Sequence, residues 1–257
     1  MNKALLSKLE QSLREVAAQT RTHHQIEGFD LYLHPESKEF FMNLAIPANS
    51  DNWSDAVKEM VKYFTAQNLQ PRLEYFDELH PDLKIALEAE GFQQDMRAPV
   101  MVLEAETFQS NKTKPKGTYL RLFEKDKHQI ETALRRQSLA YGGTGDDSAL
   151  IWLPNVLKGL EQNTVMFAVL ETDGFASGAS IQIGGGIGEL AGVWTHPEQQ
   201  KRGYAYELCH HLIEDYFKEG YDLLWLSAAE GAQRLYEKLG FSPLGTQLNY
   251  SLEASKA

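Results

Sequence analysis

The feature that most restricts the fold is an internal likeness, read as a weak duplicated unit, with chance similarity of two strand-helix units as the other reading. From Pro47 the chain reads "PANSDNWSDAVKEMVKYFTAQNLQPRLEYFDELHPDLKIALEAEGF", and from Pro197 it reads "PEQQKRGYAYELCHHLIEDYFKEGYDLLWLSAAEGAQRLYEKLGF". Each stretch predicts a loop, an amphipathic helix, a strand, a second helix and a closing Gly-Phe, in step over almost the same length. A chain built twice from strand and helix in alternation folds as α/β layers, each half burying one face of a sheet under helices.

"SNKTKPKG", Ser110 to Gly117, is polar, basic and broken by proline and glycine. It reads as a linker at 111–117 between domains at 1–110 and 118–257. Beyond it, "TYLRLFE" predicts a strand and "DKHQIETALRRQSLAY" a helix. "TVMFAVLE", "FASGASIQI" and "IGELAGVWT" predict a meander, punctuated by Asp173-Gly174 and Gly184-Gly185-Gly186. "DLLWLSA" reads as a buried strand, "EGAQRLYEKLG" as a helix stopped by Gly240, and "TQLNYSL" as the last strand.

At 257 residues there is enough chain for a real core. No apolar run approaches the roughly 20 residues that cross a bilayer. The opening "MNKALLSKLEQSLREVAAQ" reads as an amphipathic helix bearing acids rather than a signal peptide, so a cytoplasmic location and no membrane partner are expected. The single cysteine, Cys209, excludes an internal disulfide and a multi-cysteine zinc site. Both histidine pairs, His23-His24 and His210-His211, read as helical neighbours facing different ways. They lack the i, i+4 spacing of a two-histidine metal site, and no metal is expected. A net charge of -11 argues against a nucleic-acid partner and tolerates a cationic substrate.

Gln200, Lys201, Arg202 and Gly203 stand where the helix after the fourth strand of the second half must begin. A helix start presents unpaired N–H groups and the positive end of the dipole. Gly203 permits close backbone approach, Ala205 leaves room beside the first turn, and the two cations add charge, so the loop suits a pyrophosphate. A basic helix entry that happens to contain glycine is the other reading.

"GVWTHPEQQKRGYA" resembles the acetyl-coenzyme-A-binding motif of the GNAT superfamily of N-acetyltransferases, Q/R-x-x-G-x-G/A, with Gln200, Gly203 and Ala205 in its places. "AQRLYEKLGF" resembles that superfamily's second hallmark, with Ala232, Leu235, Tyr236, Gly240 and Phe241. The resemblance covers roughly Thr118 to Leu252. It implies the GNAT fold, a mixed and mostly antiparallel sheet flanked by helices, with an active second domain and a degenerate first one. It also implies acetyl-coenzyme A as co-substrate and direct transfer of the acetyl group to an amine acceptor, a small molecule or a peptide. The alternative is a coenzyme-A-binding regulatory or interaction module without turnover.

Residue by residue, the resemblance implies that backbone groups of Val193 and Thr195 pair with the pantetheine arm like an added strand. N–H groups of Gln200, Lys201, Arg202, Gly203, Tyr204 and Ala205 would hold the pyrophosphate. Tyr236 occupies the place of the tyrosine that protonates the leaving thiolate, with a packed core tyrosine as the other reading. Glu189 falls where one branch of the superfamily keeps a catalytic glutamate on the fourth strand, and it is the candidate base; a solvent-facing strand-end residue is its other reading. The family's asparagine on the fifth strand is replaced by Ala229, with Ser227 or Glu230 as substitutes.

The first half has lost the loop chemistry. Ser50, Trp53 and Asp55 stand at the positions of Gln200, Gly203 and Ala205, with Asp51 nearby, and Leu87 replaces the tyrosine. Trp53 blocks close approach and the aspartates repel phosphate, so this half is expected not to bind coenzyme A. It would shape the acceptor site or serve as structure. Trp152 reads as core or as pocket wall, and Asp146 and Asp147 as a solvated turn or as contacts for a cationic amine.

Overall fold

The computed structural model describes residues 2–110 and 115–253. Its elements run α1 (Lys3–Ala18), β1 (Thr22–Ile26), β2 (Phe29–Leu33), β3 (Leu44–Pro47), α2 (Trp53–Ala66), β4 (Arg72–Phe76), α3 (Leu83–Ala89) and β5 (Gln93–Glu104). They continue with β6 (Thr118–Leu122), α4 (Lys127–Ala140), α5 (Leu153–Glu161), β7 (Val165–Thr172), β8 (Gly174–Gly184), β9 (Ile187–Thr195), α6 (Tyr204–Lys218), β10 (Leu223–Ser227), α7 (Gln233–Lys238) and β11 (Ser242–Ser251). Residues 111–114 of the expected linker lie outside the described residues.

The chain forms two compact units whose division does not follow chain order. The first comprises Met1–Val100, Ser227–Glu230 and Pro243–Ala257; the second comprises Met101–Leu226 and Gly231–Ser242. The division thus falls between Val100 and Met101, ahead of the expected linker. The reason is strand pairing: β11, the last strand of the sequence, runs antiparallel to β4, with Leu248 opposite Tyr75 and Tyr250 opposite Leu73.

In the first unit the strands lie in the order β1-β2-β3-β4-β11-β5. All the registered pairs are antiparallel except β3 with β4, which is parallel at Ala45 and Leu73. A parallel pair needs a crossover, and α2 supplies it. Val57, Met60 and Phe64 face inward from α2 at helical spacing, and meet Leu73, Leu87 and Leu248 in one buried cluster. His23 and His24 lie on strand β1, not on a helix. Strand alternation there turns His23 toward Asp30, 2.8 Å away.

The second unit repeats the scheme. β6, β7, β8 and β9 form an antiparallel meander, β10 pairs parallel with β9, and the end of β5 lies beyond β10. α4 and α5 cover one face, where Ile130, Leu134, Leu153, Phe167, Val169 and Trp194 form a buried cluster. Trp152 ends a 3-10 turn leading into α5 and packs partly buried against that cluster, which makes it core.

Because β11 carries Leu248 and Tyr250 into the first unit's core, Leu248→Ala should cost about 2–5 kcal/mol. Amide exchange should speed up across β4, the partner strand. Faster exchange confined to β6–β9 would contradict the pairing.

Candidate functional site

β9 and β10 stay together for two registered pairs, Leu224 with Gly188 and Trp225 with Glu189. Past that point β9 continues in register only with β8, and there it bulges. Ser180 pairs with Ala191 but Gly178 with Trp194, so one extra β9 residue is inserted. Gly192 sits in the bulge with φ 60°, a left-handed conformation suited to glycine.

The bulge reverses the faces of the strand. Gly188 lies against Tyr216 of α6, so Glu189 points to the opposite face. Trp194 would share the α6 face under strict alternation; after the bulge it joins the α4–α5 cluster instead. Val193 and Thr195 fall on the α6 side. The carbonyl of Gly192 accepts from Gln137 Nε2 at 3.2 Å, and that of Val193 accepts from the Tyr141 hydroxyl at 3.1 Å. Of Val193's two backbone groups, the carbonyl therefore already has a partner. Thr195 Oγ1 lies 3.2 Å from Ser177 Oγ, whose hydroxyl donates to the Trp194 carbonyl.

After a 3-10 turn at Pro197–Gln199 the chain enters the loop ahead of α6. Lys201 has φ 61° and Gly203 φ 82°, with Arg202 between them on the ordinary side. Backbone that alternates in hand forms concavities of N–H groups that attract anions. Gly203 caps α6 without a side-chain hydrogen bond, so the first-turn N–H groups of Tyr204 and Ala205 carry no side-chain cap.

One residue that motif reading passes over completes this corner. Lys116 donates its ammonium to the Arg202 carbonyl at 2.9 Å, and an added Cβ at Gly203 would meet Lys116 Nζ at 2.3 Å. Its backbone N–H is held by both carboxylate oxygens of the buried Glu207, each at 2.9 Å. Only the order of the fold brings the linker's lysine onto this loop. A composition-based reading had no local pattern to find it by.

Tyr236 projects from α7 and is buried, its ring edge-on to Phe241 at 6.0 Å. Burial, reinforced by Cys209 and Tyr141, pushes its phenol well above the ordinary range, so it is protonated at neutral pH. Its hydroxyl makes no hydrogen bond among the described residues. Tyr141 itself is exposed as a residue, yet its hydroxyl is turned in on Val193, and burial of that end raises its pKa. Glu189 is not among the groups acting on Tyr236; the structure gathers Tyr236 with Tyr141 and Cys209. Burial pushes the Cys209 thiol up to about 12, which leaves it an inert packed thiol.

Other expected residues have structural partners. Asp147 pairs with Arg135 at 2.6 Å, and Asp146 accepts from the Ser148 N–H and hydroxyl at the start of a 3-10 turn. Ser227 is committed to Gln247 within the first unit. His210 reaches the Gln109 carbonyl at 3.2 Å. Among the described residues no group of three or more His, Cys, Asp or Glu could hold a metal, and no helix is long and apolar enough to cross a membrane.

A strand followed by a glycine-led helix start is the arrangement the motifs implied, and the structure adds to it the bulge in β9 and the parting of β9 from β10. Residues 129–241 match the model of the acetyltransferase (GNAT) family. This segment is a GNAT domain. Solved structures with the same fold include a GCN5-related N-acetyltransferase from Kribbella flavida, at TM-score 0.80 and 20% identity over 98% of this chain and 96% of that one. A GCN5-related N-acetyltransferase from Sphaerobacter thermophilus aligns at TM-score 0.63 and 16% identity, over 88% and 76% of the two chains. A tandem GNAT protein from the clavulanic acid biosynthesis pathway aligns at 0.61 and 12%, over 89% and 79%. No curated protein matches the sequence. The match ends at Phe241, one residue before β11 begins.

Gly203→Ala should cost about 1–2 kcal/mol, because the left-handed conformation disfavours a Cβ while the lysine tip can move aside. Chemical denaturation measures it. A neutral effect would mean that the loop does not hold Gly203 at positive φ.

Proposed function

We propose that the second unit is an acetyl-coenzyme-A-dependent N-acetyltransferase that moves the acetyl group directly to an amine. The observation that carries this reading is the uncapped, glycine-led start of α6 immediately after the bulged strand β9, with Lys116 over it. An open helix start flanked by a cation fits a pyrophosphate and fits few neutral ligands. N–H groups from Gln200 to Ala205 would hold that group, with Lys116 as a further cation. Val193, through its N–H, and Thr195 would meet the pantetheine arm along β9.

Coenzyme A supplies the activated thioester. The amine nitrogen forms a bond to the acetyl carbon, the carbon–sulfur bond breaks, and sulfur takes the electron pair. Tyr236 gives its proton to that sulfur. A phenol held protonated by burial is always loaded for this task, and it yields the proton only as negative charge develops on sulfur. Glu189 is the proposed acceptor of the amine's proton, directly or through water. The lone cysteine is a buried thiol, which disfavours an acetyl-cysteine intermediate and supports direct transfer.

Calorimetry with acetyl-coenzyme A should show one site per chain, since the first unit lacks the loop chemistry. Tyr236→Phe should lower acetyl transfer to a responsive amine by about 10²–10⁴-fold with cofactor affinity unchanged. Two bound cofactors per chain, or full activity in the phenylalanine variant, would overturn the assignment.

A further inference from the structure

Strand β8 buries a serine where its neighbours are apolar. Ser177 has none of its surface exposed, and Ala176 and Ala179 are enclosed as well. A buried hydroxyl costs free energy unless it is hydrogen-bonded. Ser177 meets that demand on the last residues of β9, beyond the bulge. Its hydroxyl donates to the Trp194 carbonyl, and its oxygen lies 3.2 Å from Thr195 Oγ1. The next residue of β8, Gly178, leaves room for the Trp194 ring, since a Cβ there would meet the indole nitrogen at 2.4 Å. The end of β9 is therefore fixed by β8 at two adjacent positions, through a hydrogen bond and through close packing.

A count of protons sets the direction of the second contact. A serine hydroxyl has one proton, and Ser177 commits it to the Trp194 carbonyl, so Thr195 is the donor in the 3.2 Å contact. The Thr195 oxygen then has acceptor capacity alone for anything outside the sheet, and it makes no other side-chain hydrogen bond among the described residues. Thr195 is partly exposed, unlike Ser177, and it ends the stretch of β9 that would meet the pantetheine arm. That arm carries amide groups whose N–H is a donor.

We infer that the Thr195 hydroxyl accepts an amide N–H of the pantetheine arm, and that Ser177, which does not itself touch the coenzyme, is the positioning residue that holds it as an acceptor. The inference rests on the coenzyme reading of the second unit and adds a side-chain contact to the backbone pairing along β9. Without Ser177 the threonine is free to turn its proton outward, where it would face the amide N–H donor against donor.

The test is calorimetry on the full chain with acetyl-coenzyme A and, as the control, ADP, which carries the pyrophosphate and lacks the arm. Thr195→Val and Ser177→Ala should each weaken acetyl-coenzyme A binding by about three- to tenfold and leave ADP affinity unchanged. The double variant should lose no more than the larger single loss, because both changes remove the same contact. Thr195→Val lies on the partly exposed side and keeps the shape of the residue, so it decides the matter alone if Ser177→Ala does not fold. Equal weakening of both ligands would mean that the hydroxyls only support the fold, and additive losses would mean that they act separately; either result overturns the inference. Acetyl-coenzyme A affinity unmoved by both changes overturns it too and leaves the coenzyme reading standing, whereas no binding by the unaltered chain overturns both.

Discussion

The start of α6 is the constraint on which the chemistry proposed for the second unit depends. A helix leaves its first N–H groups without partners, to be met by a capping side chain, by water or by a ligand. α2 takes the first course, with Asn52 turned back onto Asp55 and an acidic residue in the first turn. α6 has no capping side chain, and Gly203 leads it at positive φ. The two helices follow equivalent parallel-strand crossovers, β3 to β4 and β9 to β10. The same backbone scheme therefore yields a side-chain-capped helix start in one unit and an uncapped one beside Lys116 in the other, each with an acid in its first turn, Asp55 and Glu207.

Lys116 and Glu207 keep that opening in shape. A buried carboxylate costs free energy unless it is hydrogen-bonded, and Glu207 meets this by gripping the Lys116 N–H with both oxygens. The lysine is thereby fixed at its backbone while its ammonium stays exposed on the Arg202 carbonyl. Positive charge is supplied by a residue anchored from within α6 itself.

Periodicity carried most of the fold. Apart from α5, strands and helices from Thr118 onward fall where alternation and helical spacing put them, and the Gly-Phe stops mark the ends of α3 and α7. Long-range pairing left no such local mark. β11 alternates as any strand does, and nothing in "TQLNYSL" says that its partner is β4 rather than a neighbour in sequence. "THHQI" was misread because two adjacent histidines have no period of their own, and the strand emerges only from pairing with β2. The bulge at Gly192 was equally hidden, since "GELAGVWT" reads as a continuous strand. The site residues were legible where a motif fixes backbone, at Gln200 to Ala205. They were not where tertiary order brings side chains in, at Lys116 and Tyr141.

The bulge deserves its place beside the helix start because it joins packing to chemistry. One inserted residue sends Trp194 into the α4–α5 core, which anchors the end of β9 by burial of a large aromatic ring. The same insertion interrupts the ladder with β8 and turns the carbonyls of Gly192 and Val193 toward Gln137 and Tyr141 at the end of α4. α4 is thus tied to the strand at the point where β9 leaves β10. Tyr141, on that tie, is also one of the groups that hold the Tyr236 phenol protonated. A shift in α4 that loosened Tyr141 from Val193 would free a backbone carbonyl beside the strand and change the electrostatic surroundings of Tyr236 together. The Tyr141 hydroxyl thus links the backbone of β9 to the surroundings of the phenol on α7.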